Sequence, residues 1–377
     1  MPSVLVLCEY ASLNGGERSL LAVLDGLCAA GYRMQAAAPS AGPLMTAFAQ
    51  RGIRGVELDL HDALGRRFEL SVCRRRLRAA IDAVQPDLIH ANSLSMSRLS
   101  GPVAAELGVP SLGHLRDIIK VPATVIADLN RHPRLAAVSH ATRDWYVTMG
   151  LAAERTHVLH NGVDLTRFQP RAPSGYLHRE LGLAPDNFLV GFIGQIGMRK
   201  GLLTLMTAAR EVAAAKNNVH FVIVGQRYSQ KQEALDYEQQ LRAAATDGRL
   251  RGRVHFLGVR SDVDRLLNEF ALLAHSARQE PLGRVLLEAA AAGLSVVATD
   301  VGGTREIFPP DTVSACLVPP DEPASLAAAM LLLLEDADLR AAIGQAARRR
   351  AEQAFDADRA AEILGRHYRD LLHQCRL

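Results

Sequence analysis

Between residues 272 and 306 short apolar runs alternate with glycine breaks and helix-forming runs, and few folds accommodate that pattern. Leu272-Leu-Ala-His275-Ser276 has the length and composition of a buried strand. Pro281 and Gly283 then break regular structure. The Ala-rich run from Arg284 to Ala292 follows as a helix that opens at about Gly283 and stops at Gly293. An apolar strand, Ser295–Thr299, comes next and leads through Asp300-Val-Gly302-Gly303 into a second helix start at Thr304–Glu306. Strands without polar alternation, each followed by glycine and a helix, specify a parallel sheet covered on both faces.

The chemistry of this stretch follows from its helix start, whose unpaired backbone N–H groups attract an anion. Glu280 precedes that end and Glu288 lies about a turn and a half into the helix. One carboxylate can therefore flank a bound phosphate while the other reaches hydroxyls further along the ligand, which is the layout of a sugar nucleotide. Glu280 and Glu288, with seven residues between them, a small-residue helix, a strand and the Gly302–Gly303 pair, resemble the E-x7-E signature of family 4 retaining glycosyltransferases of the GT-B fold. The resemblance implies an α/β protein of two facing Rossmann-like, doubly wound parallel-sheet domains with an interdomain cleft.

Composition fits that size of molecule. A chain of 377 residues suits two domains, and 49% hydrophobic with 22% charged residues is globular. A net charge of +3 does not suggest nucleic acid as a partner. Cys8, Cys28, Cys73, Cys316 and Cys375 are odd in number and lack C-x-x-C spacing, so neither a disulfide framework nor a thiolate metal site is expected. The first residues meet Glu9 too soon for a signal peptide, and the longest apolar run, Ala324–Leu334, is too short to span a bilayer. A cytoplasmic location is the expectation, with peripheral contact at the inner face of a membrane as an addition to it.

The first half repeats the strand–loop–helix theme. Ser3–Cys8 reads as a strand, Asn14-Gly15-Gly16-Glu17 as a glycine loop, and Arg18–Ala30 as a helix; the loop is not G-x-G-x-x-G, so a dinucleotide fingerprint is unsupported. In the resemblance, the backbone at Gly15 and Gly16 approaches the donor's diphosphate and sugar. Arg66, Arg67, Arg74, Arg75, Arg76 and Arg78 crowd one segment, either as a solvated helix face or as a dock for an anionic acceptor or bilayer. Pro110–Asp117 is a short strand whose polar end carries His114, and ligands lie at carboxyl ends of such strands. The resemblance sets His114 near the transferred sugar; Arg116 and Asp117 read as an ion pair. Asn161-Gly162 reads as a turn able to take positive φ. Gln169–Gly175 has the proline and glycine content of a boundary.

The second half opens with Phe188–Gly194 and a loop, Gln195-Ile-Gly197-Met-Arg199-Lys200-Gly201, that delivers two cations to a helix start. The family carries arginine where this chain has Gln195 and a lysine that Lys200 matches. Three Asp-x-Asp triplets, Asp262/Asp264, Asp336/Asp338 and Asp356/Asp358, fall at helix caps, so no metal is expected. The tail from Phe355 carries Ala361, Leu364, Tyr368, Leu371 and Leu372 on one helical stripe.

Expected domains are 1–170 for the acceptor, 171–355 for the nucleotide sugar, and a helix at 356–377 crossing back to the first. The expected activity is retaining transfer of a sugar from a UDP- or GDP-sugar, with no other cofactor, to a sugar or lipid-linked acceptor in bacterial glycan or glycolipid synthesis. The alternatives are a nucleotide-sugar epimerase of similar fold and a catalytically silent sugar-nucleotide binder. By the resemblance, Glu280, His114 and Lys200 carry catalysis, and Gly15, Gly16, Arg199, Lys200, Leu282, Gly283, Arg284, Val285 and Glu288 bind the donor.

Overall fold

The structure, a computed structural model, describes residues 1–374; Cys375 and the end of the expected terminal helix lie outside the described residues. It divides into two compact units, Met1–Gly162 with the chain from Ala357 onward, and Val163–Asp356. The chain thus changes unit ahead of the Pro- and Gly-rich stretch at 169–175. Packing is the reason, because Phe168 is buried and its carbonyl accepts from Arg348 Nη1 at 2.8 Å, which ties this stretch to the second unit.

In the first unit the strands are β1 (Ser3–Leu7), β2 (Arg33–Ala38), β3 (Arg54–Glu57), β4 (Leu88–Ala91), β5 (Ser111–Leu115), β6 (Arg134–Ala137) and β7 (Thr156–Val158). All pair in parallel, in the order β3-β2-β1-β4-β5-β6-β7. Helices α1 (Gly15–Ala29), α2 (Pro43–Ala49), α3 (Leu70–Val84), α4 (Leu94–Leu107), α5 (Ala123–Leu129) and α6 (His140–Thr148) connect them. Every residue of β1 and β4 is buried, as strands covered on both faces require. The strand order reverses between β1 and β4, which opens a crevice at their carboxyl ends.

The second unit repeats this plan. Strands β8 (Phe188–Ile193), β9 (Val219–Val224), β10 (Val254–Gly258), β11 (Leu272–His275), β12 (Val296–Thr299) and β13 (Cys316–Val318) order as β10-β9-β8-β11-β12-β13, again all parallel. Its helices are α7 (Tyr176–Leu181), α8 (Leu202–Ala215), α9 (Gln232–Thr246), α10 (Val263–Leu266), α11 (Arg284–Ala291), α12 (Thr304–Ile307), α13 (Pro323–Glu335) and α14 (Ala337–Ala354). Here the order reverses between β8 and β11, so the loops after those two strands flank the crevice.

The chain ends in α15 (Ala357–Gln374), which belongs to the first unit. Its stripe of Ala361, Leu364, Tyr368 and Leu371 is buried against α1, with Leu372 half-buried at its edge. A fully buried leucine contributes about 1.5–3 kcal/mol, so this stripe is enough to hold the tail. Asn161–Gly162 does not supply the expected positive-φ turn. Gly162 instead serves close approach, since a Cβ there would lie 2.5 Å from Ala357 Cα and 3.0 Å from Ala360 Cβ.

Candidate functional site

In the second unit, the loop after β8 turns through a short 3-10 segment, Met198–Lys200, before α8 begins, so Arg199 and Lys200 precede the helix and are not in its first turn. Backbone contacts seat this segment on the loop after β11: Arg278 N–H donates to Arg199 O at 2.8 Å and Ser276 Oγ donates to Lys200 O at 3.1 Å. Lys200 is thereby turned inward, 9% exposed, while Arg199 stays exposed. Its Nζ donates to Glu280 Oε2. His275 Nε2, at the carboxyl end of β11, lies 2.8 Å from the same oxygen.

The main chain of Glu280 is held from the neighbouring loop. Gly303 N–H donates to Glu280 O at 3.0 Å. Gly302 has φ +53°, and a Cβ on it would stand 2.0 Å from that carbonyl, so only glycine lets the loop after β12 approach so closely. The Gly302–Gly303 junction therefore positions Glu280. The helix that follows it, α12, is a single turn.

Electrostatics set the protonation of this cluster. Burial alone raises the Glu280 carboxyl, but the Lys200 ammonium and the hydrogen bond from His275 overcome it and hold the acid well below the usual carboxylate range. Burial and then Lys200 push His275 down, so its ring is neutral and donates from Nε2. Its buried Nδ1 has no hydrogen-bond partner among the described residues. Sequence alone places His275 only on a strand; its position one strand end from Glu280 is the available signal.

Helix α11 starts where expected, with Gly283 as N-cap at φ +97°. Leu282 and Gly283 are buried, and Arg284 and Val285 are half-buried in the opening turn. The first amides of any helix lack intrahelical acceptors. Glu288 is buried and its Oε1 lies 2.7 Å from Arg284 Nε one turn earlier.

In the first unit, Gly15 and Gly16 form no loop. They are the first turn of α1, because Asn14 caps the helix and Glu17 Oε2 accepts from the Asn14 backbone N–H at 3.1 Å. Asn92, just past β4, donates from Nδ2 to Gly16 O at 3.3 Å. Arg116, expected from sequence to be an ion-pair partner of Asp117, is a hub. Its Nη2 donates to Asn92 Oδ1 (2.9 Å), its Nε to Asn92 O (3.0 Å), and its Nη1 to Asn161 Oδ1 (2.6 Å). Its Nη2 also lies 3.1 Å from His114 Nδ1.

His114 itself sits at the carboxyl end of β5, 3% exposed. Burial first and then Arg116 drive its ring well below the ordinary histidine value, so it is neutral. An arginine can only donate, which makes Nδ1 the acceptor and leaves the proton on Nε2. That buried Nε2 has no hydrogen-bond partner among the described residues.

The arginine-rich segment is mostly committed locally. Arg66 pairs with Asp62 (2.8 Å), Arg67 with Glu9 (3.1 Å), Arg74 with Asp128 (2.8 Å) and Arg78 with Glu106 (2.6 Å), while Arg76 donates to Asp59 O (3.0 Å). Of the Asp-x-Asp triplets, Asp336 caps α14 by accepting from Leu339 N–H (2.8 Å), and Asp262, the N-cap residue of α10, binds Arg260 (2.8 Å) and Tyr176 Oη (2.9 Å). Among the described residues no helix is long and apolar enough to cross a membrane.

Known proteins resemble the chain over most of its length. Residues 13–167 match the family described as Glycosyltransferase Family 4 and residues 176–350 match Glycosyl transferases group 1. A GDP-mannose-dependent alpha-mannosyltransferase of Mycolicibacterium smegmatis is 27% identical over 326 residues, 79% of each chain. A phosphatidyl-myo-inositol mannosyltransferase of the same organism is 28% identical over 89% of this chain and 86% of its own. The crystal structure of Anabaena HepE in complex with UDP-glucose superposes with a TM-score of 0.85 and 26% identity, covering 98% of this chain and 99% of that one. With both halves matched and two parallel-sheet Rossmann-like units in sequence, the chain belongs to glycosyltransferase family 4 and has the GT-B type of fold.

Proposed function

We propose that the protein is a retaining transferase that moves a sugar from a nucleoside-diphosphate sugar to an acceptor hydroxyl without a metal ion. The observation that carries this reading is the buried Lys200–Glu280–His275 cluster beside the α11 N-terminus. When the sugar–phosphate bond breaks, negative charge grows on the departing oxygen, and a fixed ammonium and helix amides lower that barrier. Lys200 has N–H groups beyond the one given to Glu280, and Arg199 adds an exposed cation. Glu288 is assigned to the ribose hydroxyls, with Arg284 holding its other oxygen. The named relatives span GDP-mannose and UDP-glucose, so the donor is assigned as a class, a UDP- or GDP-sugar.

The proton affinity of Glu280 supports the retaining reading. An inverting transferase needs a base to deprotonate the acceptor, and Glu280, already accepting from Lys200 and His275 and held far below the usual range, is a poor one. The departing phosphate oxygen takes the proton instead, with acceptor and leaving group on one face of the sugar. Glu280 is assigned to orienting donor hydroxyls, and His114 of the first unit has an Nε2–H to give to a sugar hydroxyl. The acceptor is assigned as a sugar or lipid-linked hydroxyl, consistent with the phosphatidyl-myo-inositol mannosyltransferase among the relatives.

Proton NMR of the first-formed product decides the stereochemistry: an α-linked donor gives an α-linked product, and an inverted anomeric coupling sinks the proposal. Glu280→Gln is expected to lower kcat far more than it raises donor KM, as befits a contact that strengthens in the transition state. Chelator is expected to leave the rate unchanged, and loss with EDTA restored by magnesium rules out the metal-free reading.

A further inference from the structure

Two buried groups behind His114 take no part in the chemistry above. His90, in the middle of β4, places Nε2 3.2 Å from His114 Nδ1, and its own Nδ1 lies 2.6 Å from Tyr368 Oη. His90 and Tyr368 are both 0% exposed. The rings of His90 and His114 stack at 5.5 Å with 22° between their planes, and Tyr368 meets His90 edge-on at 5.8 Å. A tyrosine, two imidazoles and an arginine in line are more than a packed core needs, since an apolar trio would avoid the desolvation of four polar groups.

Donor and acceptor roles along this line are not free. Imidazole pairs are ambiguous by tautomer, but Arg116 Nη2 at 3.1 Å from His114 Nδ1 cannot accept, so that nitrogen carries no proton. A bare His90 Nε2 would set two lone pairs face to face, so it carries a proton and shares the single His114 Nδ1 lone pair with Arg116. His90 Nδ1 is consequently an acceptor, and the Tyr368 hydroxyl donates to it. Burial keeps both rings neutral and the phenol protonated, which leaves the direction of the whole line intact.

We infer that Tyr368 and His90 are positioning residues that, with Arg116, lock His114, near the carboxyl end of β5, as an Nε2–H donor for a sugar hydroxyl. The inference rests on the role of His114 proposed above and extends it to the terminal helix: Tyr368 lies on α15, so the last element of the chain orients a group at the crevice of the first unit. Without the Tyr368 hydroxyl, His90 can turn its proton to Nδ1. Two lone pairs then face each other between the rings, and His114 loses its single orientation.

The test is histidine nitrogen NMR of the full chain together with steady-state kinetics. Resonances are assigned by their loss in His114→Gln and His90→Gln. In the wild type both rings are expected as the Nε2–H tautomer across neutral pH, and Tyr368→Phe is expected to give mixed tautomers at His90. His90→Leu is expected to lower kcat about three- to tenfold with donor KM unchanged, the scale of one net hydrogen bond. His90→Gln, whose amide N–H can stand where Nε2–H stood, is expected to recover most of that loss. Wild-type His114 protonated on Nδ1, or folded Tyr368→Phe and His90→Leu proteins with wild-type kcat, overturns the inference. If His114→Gln alone retains full activity while the wild-type tautomers are as stated, the role of His114 in transfer falls and the positioning role falls with it.

Discussion

The two clusters solve a similar problem with opposite charge states. Each stands at the carboxyl ends of strands by a reversal of sheet order, and each has a buried neutral histidine beside a cation. In the second unit Lys200 and Glu280 meet as a buried ion pair, with His275 adding a second hydrogen bond to the same carboxylate oxygen. In the first unit Arg116 donates to the neutral acceptors Asn92, Asn161 and His114, and the Glu17 carboxyl also feels its charge. A buried charge pair is costly to desolvate, and removing one partner strands the other charge. A neutral line suits a group that has only to donate a hydrogen bond. In the proposed mechanism the second unit stabilises the leaving phosphate and the first orients hydroxyls.

The largest expected effect sharpens this contrast. Lys200→Ala is expected to lower kcat by about 10²–10³-fold, the range for a lost charge-stabilising donor. His114→Gln, which removes a neutral donor, is expected to cost about tenfold or less, on the scale of one hydrogen bond. Kinetics on the two variants that gave equal losses would break the division of labour between the units.

Acid stability separates the units next. Among the described residues the first unit holds three fully buried neutral histidines: His90, pushed down to about 3 by burial; His132, pushed down to about 4 by burial; and His114, also low. The second holds one, His275. Each unit also holds one partly buried histidine pair pushed down by burial, His157–His367 in the first, with His367 at about 4, and His220–His255 in the second. Below the ordinary value of 6.5 the unfolded chain takes up these protons and the folded unit does not, so stability falls as pH falls through that value. Glu280 adds nothing in that window, because its low folded value only begins to matter as pH drops below 4.5. At pH 5.5 the loss is therefore expected to be larger in the first unit than in the second. Hydrogen exchange read separately on peptides of β4–β5 and β8–β11 measures it, and faster opening of the second unit at pH 5.5 contradicts the assignment.

The smallest effect concerns donor anchoring. Glu288→Ala is expected to weaken the free nucleoside diphosphate by about 1–3 kcal/mol in calorimetry, the range for a hydrogen bond to a charged group. Unchanged affinity removes Glu288 from the ribose. Because Arg284 already pairs with this carboxylate, Arg284→Ala is expected to show part of the same loss.

Much of the fold is legible in the amino-acid sequence by itself. Periods and punctuation are local properties, so the strand–glycine–helix repeats, the α11 start at Gly283 and its stop near Gly293, and the apolar stripe of the tail can be read directly. The spacing of Glu280 and Glu288 against the glycines suffices to suggest a phosphate-binding helix start. Gly15 and Gly16 read wrongly as a loop because a glycine pair after a strand fits a loop and a helix start equally, and the decision lies with the Asn14–Glu17 cap. What sequence does not supply is partnership at long range. That His275 and Lys200 share one oxygen of Glu280, that Gly302 admits the Glu280 carbonyl, and that Tyr368 reaches His114 through His90 all depend on strand order and loop seating. A strand end fixes where a residue emerges, but which side chain it meets there is decided by the packing of elements that can lie hundreds of residues apart.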